Sequence, residues 1–346
     1  MITSLIRSNL KKFKPYTSAR SLYQTGTFFD AYENAFGSPL ASALDAELNR
    51  YPDPNSLVLR KTLASFLGVA EQGIFVGNGS DEAIDLIVRL FVEPDEEILI
   101  AEPTYGMYAV AGALADVKVR RMSLRPDFTL DVDALLREVK PKTKLLFCCS
   151  PNNPTGTVIP LRDIEKICRV FKGIVVVDEA YIEFASTPSV VSEVQRFENL
   201  IVLRTFSKAW GLAGIRVGYA IAQKEITDYL NRIKPPYNLN RLSSALAKEA
   251  LLQYPRIVEW RNKIVEQRER LSQSLQKLGF TVFPSEANFV LVRIPNASAL
   301  ALRLATTSGM IVRDFGEKPL LKDCLRISVG TPEQNTALIT SLRALI

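Results

Sequence analysis

The sequence predicts an α/β fold, a large domain built on a mostly parallel seven-stranded sheet, with a smaller α+β domain after it. Three observations carry this. Between residues 57 and 222 seven short β-rich runs alternate with amphipathic stretches, the pattern of strands joined by crossover helices. Several runs, notably Ile174 to Val177, are continuously apolar, as expected of strands covered by helices on both faces. Beyond about residue 240 the pattern changes to long helical periodicity.

Taken in order, the strand-like runs are "GIFVG" (73–77), "EILIA" (97–101), "VKVRRM" (117–122), "KLLFCC" (144–149), "GIVVVD" (173–178), "LIVLR" (200–204) and "RVGYAIA" (216–222). Between them "DEAIDLIVRLF" sets Ala83, Ile84, Ile87, Leu90 and Phe91 on one helical face, and "DVDALLREV" and "LRDIEKICRVF" behave similarly. Helical patterns over 241–254 and 256–278 precede "NFVLVRI", a helix, "CLRISVG" and a last helix. We therefore expect an arm and part of the small domain in 1–45, the large domain in 46–240 and the small domain in 241–346.

A chain of 346 residues suits this division. Its 47% hydrophobic and 23% charged residues are ordinary for a soluble protein, and no apolar run approaches the ~18 residues of a membrane helix. The N-terminal stretch lacks the features of a secretory signal, so a cytoplasmic location is expected. Cys148, Cys149, Cys168 and Cys324 show no CxxC spacing and read as buried, reduced thiols. The net charge of +6 is spread along the chain, with "KKFK" at 11–14 its only tight cluster, which favours small anionic substrates over nucleic acid. No histidine is present, which excludes Ser-His-Asp and Cys-His catalysis and histidine-ligated metals. Acid-base work must fall to Lys, Asp, Glu, Tyr or Cys.

In open α/β sheets ligands collect beyond the carboxyl ends of the strands, and five such places hold unusual residues. In "GNGSDEAIDLI" the amides near Gly79, Ser80 and Asp81 open a helix and can grip a phosphate. Asp81 and Glu82 would repel that anion unless their side chains turn away, and a glycine-rich turn before a helix is often only a turn. In "EPTYGMY", Tyr105 is either a core residue or a flat face for a bound ring. "SPNNPTG" is a rigid turn in which Asn153 can meet a ligand oxygen. In "IVVVDEAYIEF", Asp178 closes an apolar run, either as a helix cap or as the partner of a protonated ring nitrogen, with Tyr181 three positions on. In "RTFSKAWGLAGIRVGY", Lys208 is flanked by Thr205, Ser207 and Arg216, donors suited to a phosphate dianion. An ordinary lysine is only about 0.1% free amine at neutral pH, whereas burial lowers its pKa and an aldehyde can fix it as a Schiff base. One ligand answers all five places: an aromatic, phosphorylated, aldehyde-bearing ring, which is pyridoxal phosphate.

These residues resemble the fold-type I pyridoxal-phosphate aminotransferases, and within them the histidinol-phosphate aminotransferases. The resemblance runs through nearly the whole chain in "KPYTSAR", "LNRYPDP", "GNGSDE", "PTYGMY", "SPNNPTG", "VVVDEAY", "RTFSKAWGLAGIRVGY", "EANFVLVR" and "CLRISVGTPEQN". It implies that Lys208 holds the cofactor as an imine, that Asp178 keeps its ring nitrogen protonated and that Asn153 and Tyr181 contact the ring hydroxyl. Tyr105 would stack on the ring. The cofactor phosphate would be bound by Ser80, Asp81, Thr205, Ser207 and Arg216, with Glu82 alongside and Tyr51 reaching across from a second subunit of a homodimer. Tyr16, Arg313 and Arg326 would bind the substrate anions, histidinol phosphate and glutamate or 2-oxoglutarate. One departure stands at "ENAFGSP" (33–39), where Ala35 and Phe36 replace the family's usual proline and tyrosine. The nearest alternatives are an aminotransferase of aromatic amino acids and a pyridoxal-phosphate decarboxylase of a phosphorylated amino acid.

Overall fold

In the computed structural model the described residues are 2–6, 11 and 48–346; Tyr16, Ala35 and Phe36, and most of the expected N-terminal arm, lie outside them. A first helix, α1 (Leu57–Leu67), leads into β1 (Ile74–Asn78), after which α2 (Gly79–Phe91), β2 (Glu97–Glu102), α3 (Met107–Leu114) and β3 (Lys118–Ser123) alternate. The alternation continues through α4 (Val132–Glu138), β4 (Thr143–Cys149), α5 (Leu161–Val170), β5 (Ile174–Asp178), β6 (Leu200–Thr205) and β7 (Val217–Ile221). Three helices follow: α6 (Lys224–Ile233), α7 (Arg241–Leu252) and α8 (Tyr254–Lys277). The chain ends with β8 (Thr281–Val282), β9 (Phe289–Arg293), α9 (Ala297–Ser308), β10 (Arg313–Asp314), β11 (Cys324–Ser328) and α10 (Pro332–Leu345).

The first seven strands form one sheet in the order β1-β7-β6-β5-β4-β2-β3. Only β7 runs against its neighbours; the other pairings are parallel. The apolar run of β5 explains why helices flank both faces. Val175 and Val177 enter one core with Ile164 and Ile167 of α5, while Ile174 and Val176 enter another with Ala83, Ile84, Ile87, Leu90 and Phe91 of α2. Alternate side chains of a strand point to opposite faces, and each fully buried Val or Ile contributes about 1.5–3 kcal/mol. The last four strands form an antiparallel sheet, β10-β11-β9-β8, with its own core against α8, α9 and α10. Helix α10 opens on a capping box, in which Thr331 and Gln334 satisfy each other's backbone donors.

The two sheets meet where the turn after β4 touches the segment before β9. Glu286 N donates to Gly156 O at 2.8 Å. Gly156 has φ +78°, and a Cβ there would stand 2.2 Å from Ser285 Oγ, so only glycine allows this approach. Among the described residues no helix is long and apolar enough to cross a membrane. All four cysteines are free and buried.

Candidate active site

Parallel strands bring their carboxyl ends to one edge of the sheet. Asp178 is the last residue of β5 and Thr205 the last of β6; because β7 runs the other way, Arg216, just before it, returns to the same edge. A cavity of ≈ 550 Å³ opens there, within the range of about 300–1,000 Å³ typical of small-ligand sites.

Asp178 lies at the cavity wall and is only 2% exposed. Its Oδ1 accepts from Ala180 N at 3.1 Å and its Oδ2 from the Tyr108 hydroxyl at 2.7 Å. It has no ion-pair partner among the described residues, and it caps a local turn rather than a helix. Burial pushes its pKa up from the ordinary value near 3.8 to about 6, against the pull of the Tyr108 hydrogen bond. Lys208 reaches into the open cavity, its Nζ 5.5 Å from the centre of the Tyr181 ring. Desolvation by the surrounding walls, then the charge of Arg326, lowers its pKa, while Asp178 opposes the shift. Both changes favour a free amine.

At the other end of the cavity Ser80 and Asp81 occupy the first turn of α2. Thr205 Oγ1 donates to Ser207 Oγ at 3.0 Å, and Ser207 N donates to Thr205 Oγ1 at 3.1 Å. Arg216 adopts the left-handed region with φ 53°, a backbone strain of the kind found at functional sites. It turns Nη1 toward Ser207 Oγ at 3.5 Å and Nη2 toward Asp81 Oδ2 at 3.4 Å. Behind this cradle a Cβ on Gly218 would stand 2.2 Å from Ser80 N, so glycine lets β7 press against the helix start. The acid residues that trouble an anion site are handled differently from one another. Asp81 is occupied by Arg216 and by the Tyr105 hydroxyl at 3.0 Å. Glu82, expected beside the cofactor, is turned away from the cavity: its Oε2 accepts from Asn78 N at 2.6 Å and Asn238 Nδ2 at 2.9 Å. These bonds satisfy the carboxylate and remove its charge from the phosphate end.

The remaining wall carries Tyr105, Asn153 and Tyr181. Asn153 Nδ2 donates to the Tyr181 hydroxyl at 3.2 Å, and its Oδ1 accepts from Arg326 Nη1. Arg326 on β11 lies directly opposite Arg313 on β10, and both line the cavity. Like charges opposed across two strands repel, and burial together with Arg313 lowers the pKa of Arg326. The pair favours an anion between or beside them. Tyr51 stands off the cavity, 45% exposed and stacked on Tyr237 at 4.4 Å. Its loop is tied down by the buried Lys234, whose ammonium donates to the carbonyls of Pro54, Pro235 and Pro236 and to Asn238 Oδ1.

Sequence reasoning missed three residues here. Thr104 and Lys318 line the cavity, and Tyr108 holds Asp178. The signal for Tyr108 was its place three residues after Tyr105 in "PTYGMY", at the entry to α3, where the two rings meet edge-on at 5.6 Å.

Comparison with known proteins agrees with this geometry. Residues 32–342 match the family model for aminotransferase class I and II. The chain is 44% identical to a histidinol-phosphate aminotransferase of Cytophaga hutchinsonii, over 99% of this chain and 98% of that protein. It is 41% identical to the enzyme of that name from Thermoanaerobacter pseudethanolicus, over the full length of both. Among solved structures, the histidinol-phosphate aminotransferase of Sinorhizobium meliloti in complex with pyridoxal-5'-phosphate superposes with a TM-score of 0.82 at 27% identity, covering 98% of each chain. The chain belongs to the class I and II aminotransferase family.

Proposed function

We propose that this protein is a pyridoxal-phosphate-dependent aminotransferase that passes the amino group of L-histidinol phosphate to 2-oxoglutarate, giving imidazole acetol phosphate and L-glutamate. The observation that carries this reading is Asp178, a buried carboxylate at the cavity wall with no cationic partner among the described residues. A protonated pyridine nitrogen supplies the missing charge. The rest of the cavity fits the same group: hydroxyl, guanidinium and helix-end donors at one end for a phosphate, a tyrosine face for the ring and a lysine amine of lowered pKa for the aldehyde.

When bound, pyridoxal phosphate supplies an aldehyde that condenses with amines and a protonated ring that accepts electron density from the neighbouring carbon. The protein residues do the rest. Lys208 would hold the cofactor covalently; once the amino donor takes that position, the freed Nζ amine would accept the proton from the donor's amino-bearing carbon and hand it back on the cofactor side. Asp178, as a carboxylate, would pair with the ring nitrogen and keep the proton there. Asn153 and Tyr181 would orient the ring through its hydroxyl, and Tyr105 would offer it an aromatic surface. Ser80, Asp81, Thr205, Ser207 and Arg216 hold the phosphate. The relatives' shared name supports histidinol phosphate as donor.

The opposed Arg313 and Arg326 explain how one pocket accepts both the phosphate of the donor and a carboxylate of 2-oxoglutarate, since guanidinium forks bind either. Arg326→Ala should raise KM for both substrates about 10- to 100-fold, the range of a lost charged hydrogen bond. Steady-state kinetics with each substrate varied in turn checks this, and a loss confined to one substrate would separate the two anion sites.

The reading includes a homodimer in which Tyr51 of one subunit meets the cofactor phosphate of the other, with Tyr16 likewise crossing over. The exposure of Tyr51 and its distance from the cavity wall of its own chain support this. Mixing Tyr51→Phe with Lys208→Ala subunits should restore part of the activity both lack, because one site in each mixed dimer is then intact. An absence of recovery would place Tyr51 outside its neighbour's site. The two sheets are taken as a large domain over 46–240 and a small one over 241–346. A cytoplasmic location suits four unpaired cysteines.

A further inference from the structure

Two tyrosines three residues apart, Tyr105 just before α3 and Tyr108 in its first turn, serve two different carboxylates. Tyr105 donates to Asp81 at the phosphate end of the cavity, and Tyr108 donates to Asp178 at the other. Nothing in the established chemistry of the site requires the second bond.

Tyr108 is fully buried, so its hydroxyl has no water to turn to. Its ring is stacked on Phe147 at 4.6 Å and 11° and meets Tyr105 edge-on at 5.6 Å. That packing fixes where the phenol oxygen sits, 2.7 Å from Asp178 Oδ2, the carboxylate that accepts its proton. Asp178 has two direct donors, the backbone N of Ala180 and this phenol. The other titratable groups acting on it are Asp81, Cys149, Tyr105, Tyr181 and Lys208. None of these donates a hydrogen bond to it in the described structure. Tyr108 is thus the side chain that stabilises the ionised form of Asp178 by direct donation. Burial, and then the charge of Asp178, raises the phenol's own pKa, so it stays a donor at every working pH.

We propose that Tyr108 is a positioning residue that sets where the ring-nitrogen proton resides: by donating to Asp178 Oδ2 it keeps Asp178 a carboxylate, and so keeps the proton on the cofactor's nitrogen. The proposal rests on the pyridoxal-phosphate reading above. Without the phenol the carboxylate becomes a stronger base, and the shared proton shifts from nitrogen toward oxygen. A ring without that positive charge withdraws electrons poorly.

The test is Tyr108→Phe, which keeps the aromatic packing and removes only the donor. With ¹⁵N-labelled pyridoxal phosphate bound, the wild-type ring nitrogen should resonate at the protonated position, and that of the variant should move toward the unprotonated one, by up to about half the separation for a tenfold change in the proton's distribution. In the apoprotein, a ¹³C carboxyl titration assigned with Asp178→Asn should show Asp178 titrating about one pH unit higher in the variant, the size of one charged hydrogen bond. The kcat should fall about tenfold with both KM values unchanged, since the substrate-binding arginines are untouched. An unchanged nitrogen resonance, or an unchanged apoprotein titration, overturns the proposal. A wild-type protein that takes up no cofactor overturns instead the reading beneath it, and the apoprotein titration still tells the two failures apart.

Discussion

Lys208→Ala is expected to lower transamination by at least about 10⁴-fold, the upper range for losing a positioned general base and a covalent nucleophile together. The expectation follows from what this chain lacks. With no histidine anywhere in 346 residues, the cavity wall offers Lys208 as its amine of lowered pKa. The other basic side chains there are Lys318 and the guanidinium groups of Arg216, Arg313 and Arg326. A guanidinium does not give up its proton at neutral pH. The variant should still bind the cofactor, because the phosphate donors and Asp178 remain, yet borohydride reduction should attach none to the chain. Activity within tenfold of wild type would remove Lys208 from the chemistry.

Asp178→Asn should separate stability from activity in opposite directions. The carboxyl titrates near 6 in the folded apoprotein and near 3.8 when free, so between those values the folded state binds more protons than the unfolded one. Stability therefore falls as pH rises from about 4 to 6, and above 6 the apoprotein carries the full cost of a buried, unpaired charge. A shift of this size corresponds to about 3 kcal/mol. Asparagine removes the charge while keeping a group of the same shape. At pH 7 to 8 the variant apoprotein should be more stable than wild type by about 1–3 kcal/mol, an advantage that shrinks toward pH 4. Activity should meanwhile fall about 10²–10³-fold, the usual cost of removing one preorganised electrostatic group. Denaturant unfolding at both pH values, beside kcat, checks both halves. A variant less stable at pH 8 would contradict the unpaired-charge account.

The framework of this fold is local and so could be read from the chain. The face of α2 and the continuous apolar run of β5 follow from periodicity, and Asp178 announced itself because a carboxylate rarely ends such a run without a partner. What escaped depended on distant residues. Glu82 looked like part of an anion site until Asn238, 156 positions away, was seen to accept the task of satisfying it. Lys234 is held inside by the carbonyl of Pro54, 180 positions earlier, a contact that no local pattern signals. Tyr108 has only its spacing from Tyr105 to mark it in the sequence, because its bond to Asp178 joins residues 70 positions apart. Arg313 and Arg326 were named only through the resemblance, because nothing in the sequence reveals that a two-residue strand sets them face to face.

The cavity is expected to hold a pyridoxal phosphate bound to Lys208 and to receive its amino group from histidinol phosphate. Adding L-histidinol phosphate alone to the cofactor-loaded protein tests it in a single half-reaction. The bound cofactor's absorption should change from the carbonyl-derived to the amine form, with one equivalent of imidazole acetol phosphate released, and 2-oxoglutarate should reverse the change. An absorption that stays constant with L-histidinol phosphate while another amino donor converts it would contradict the assigned substrate, and a protein that develops no cofactor absorption at all would contradict the site itself.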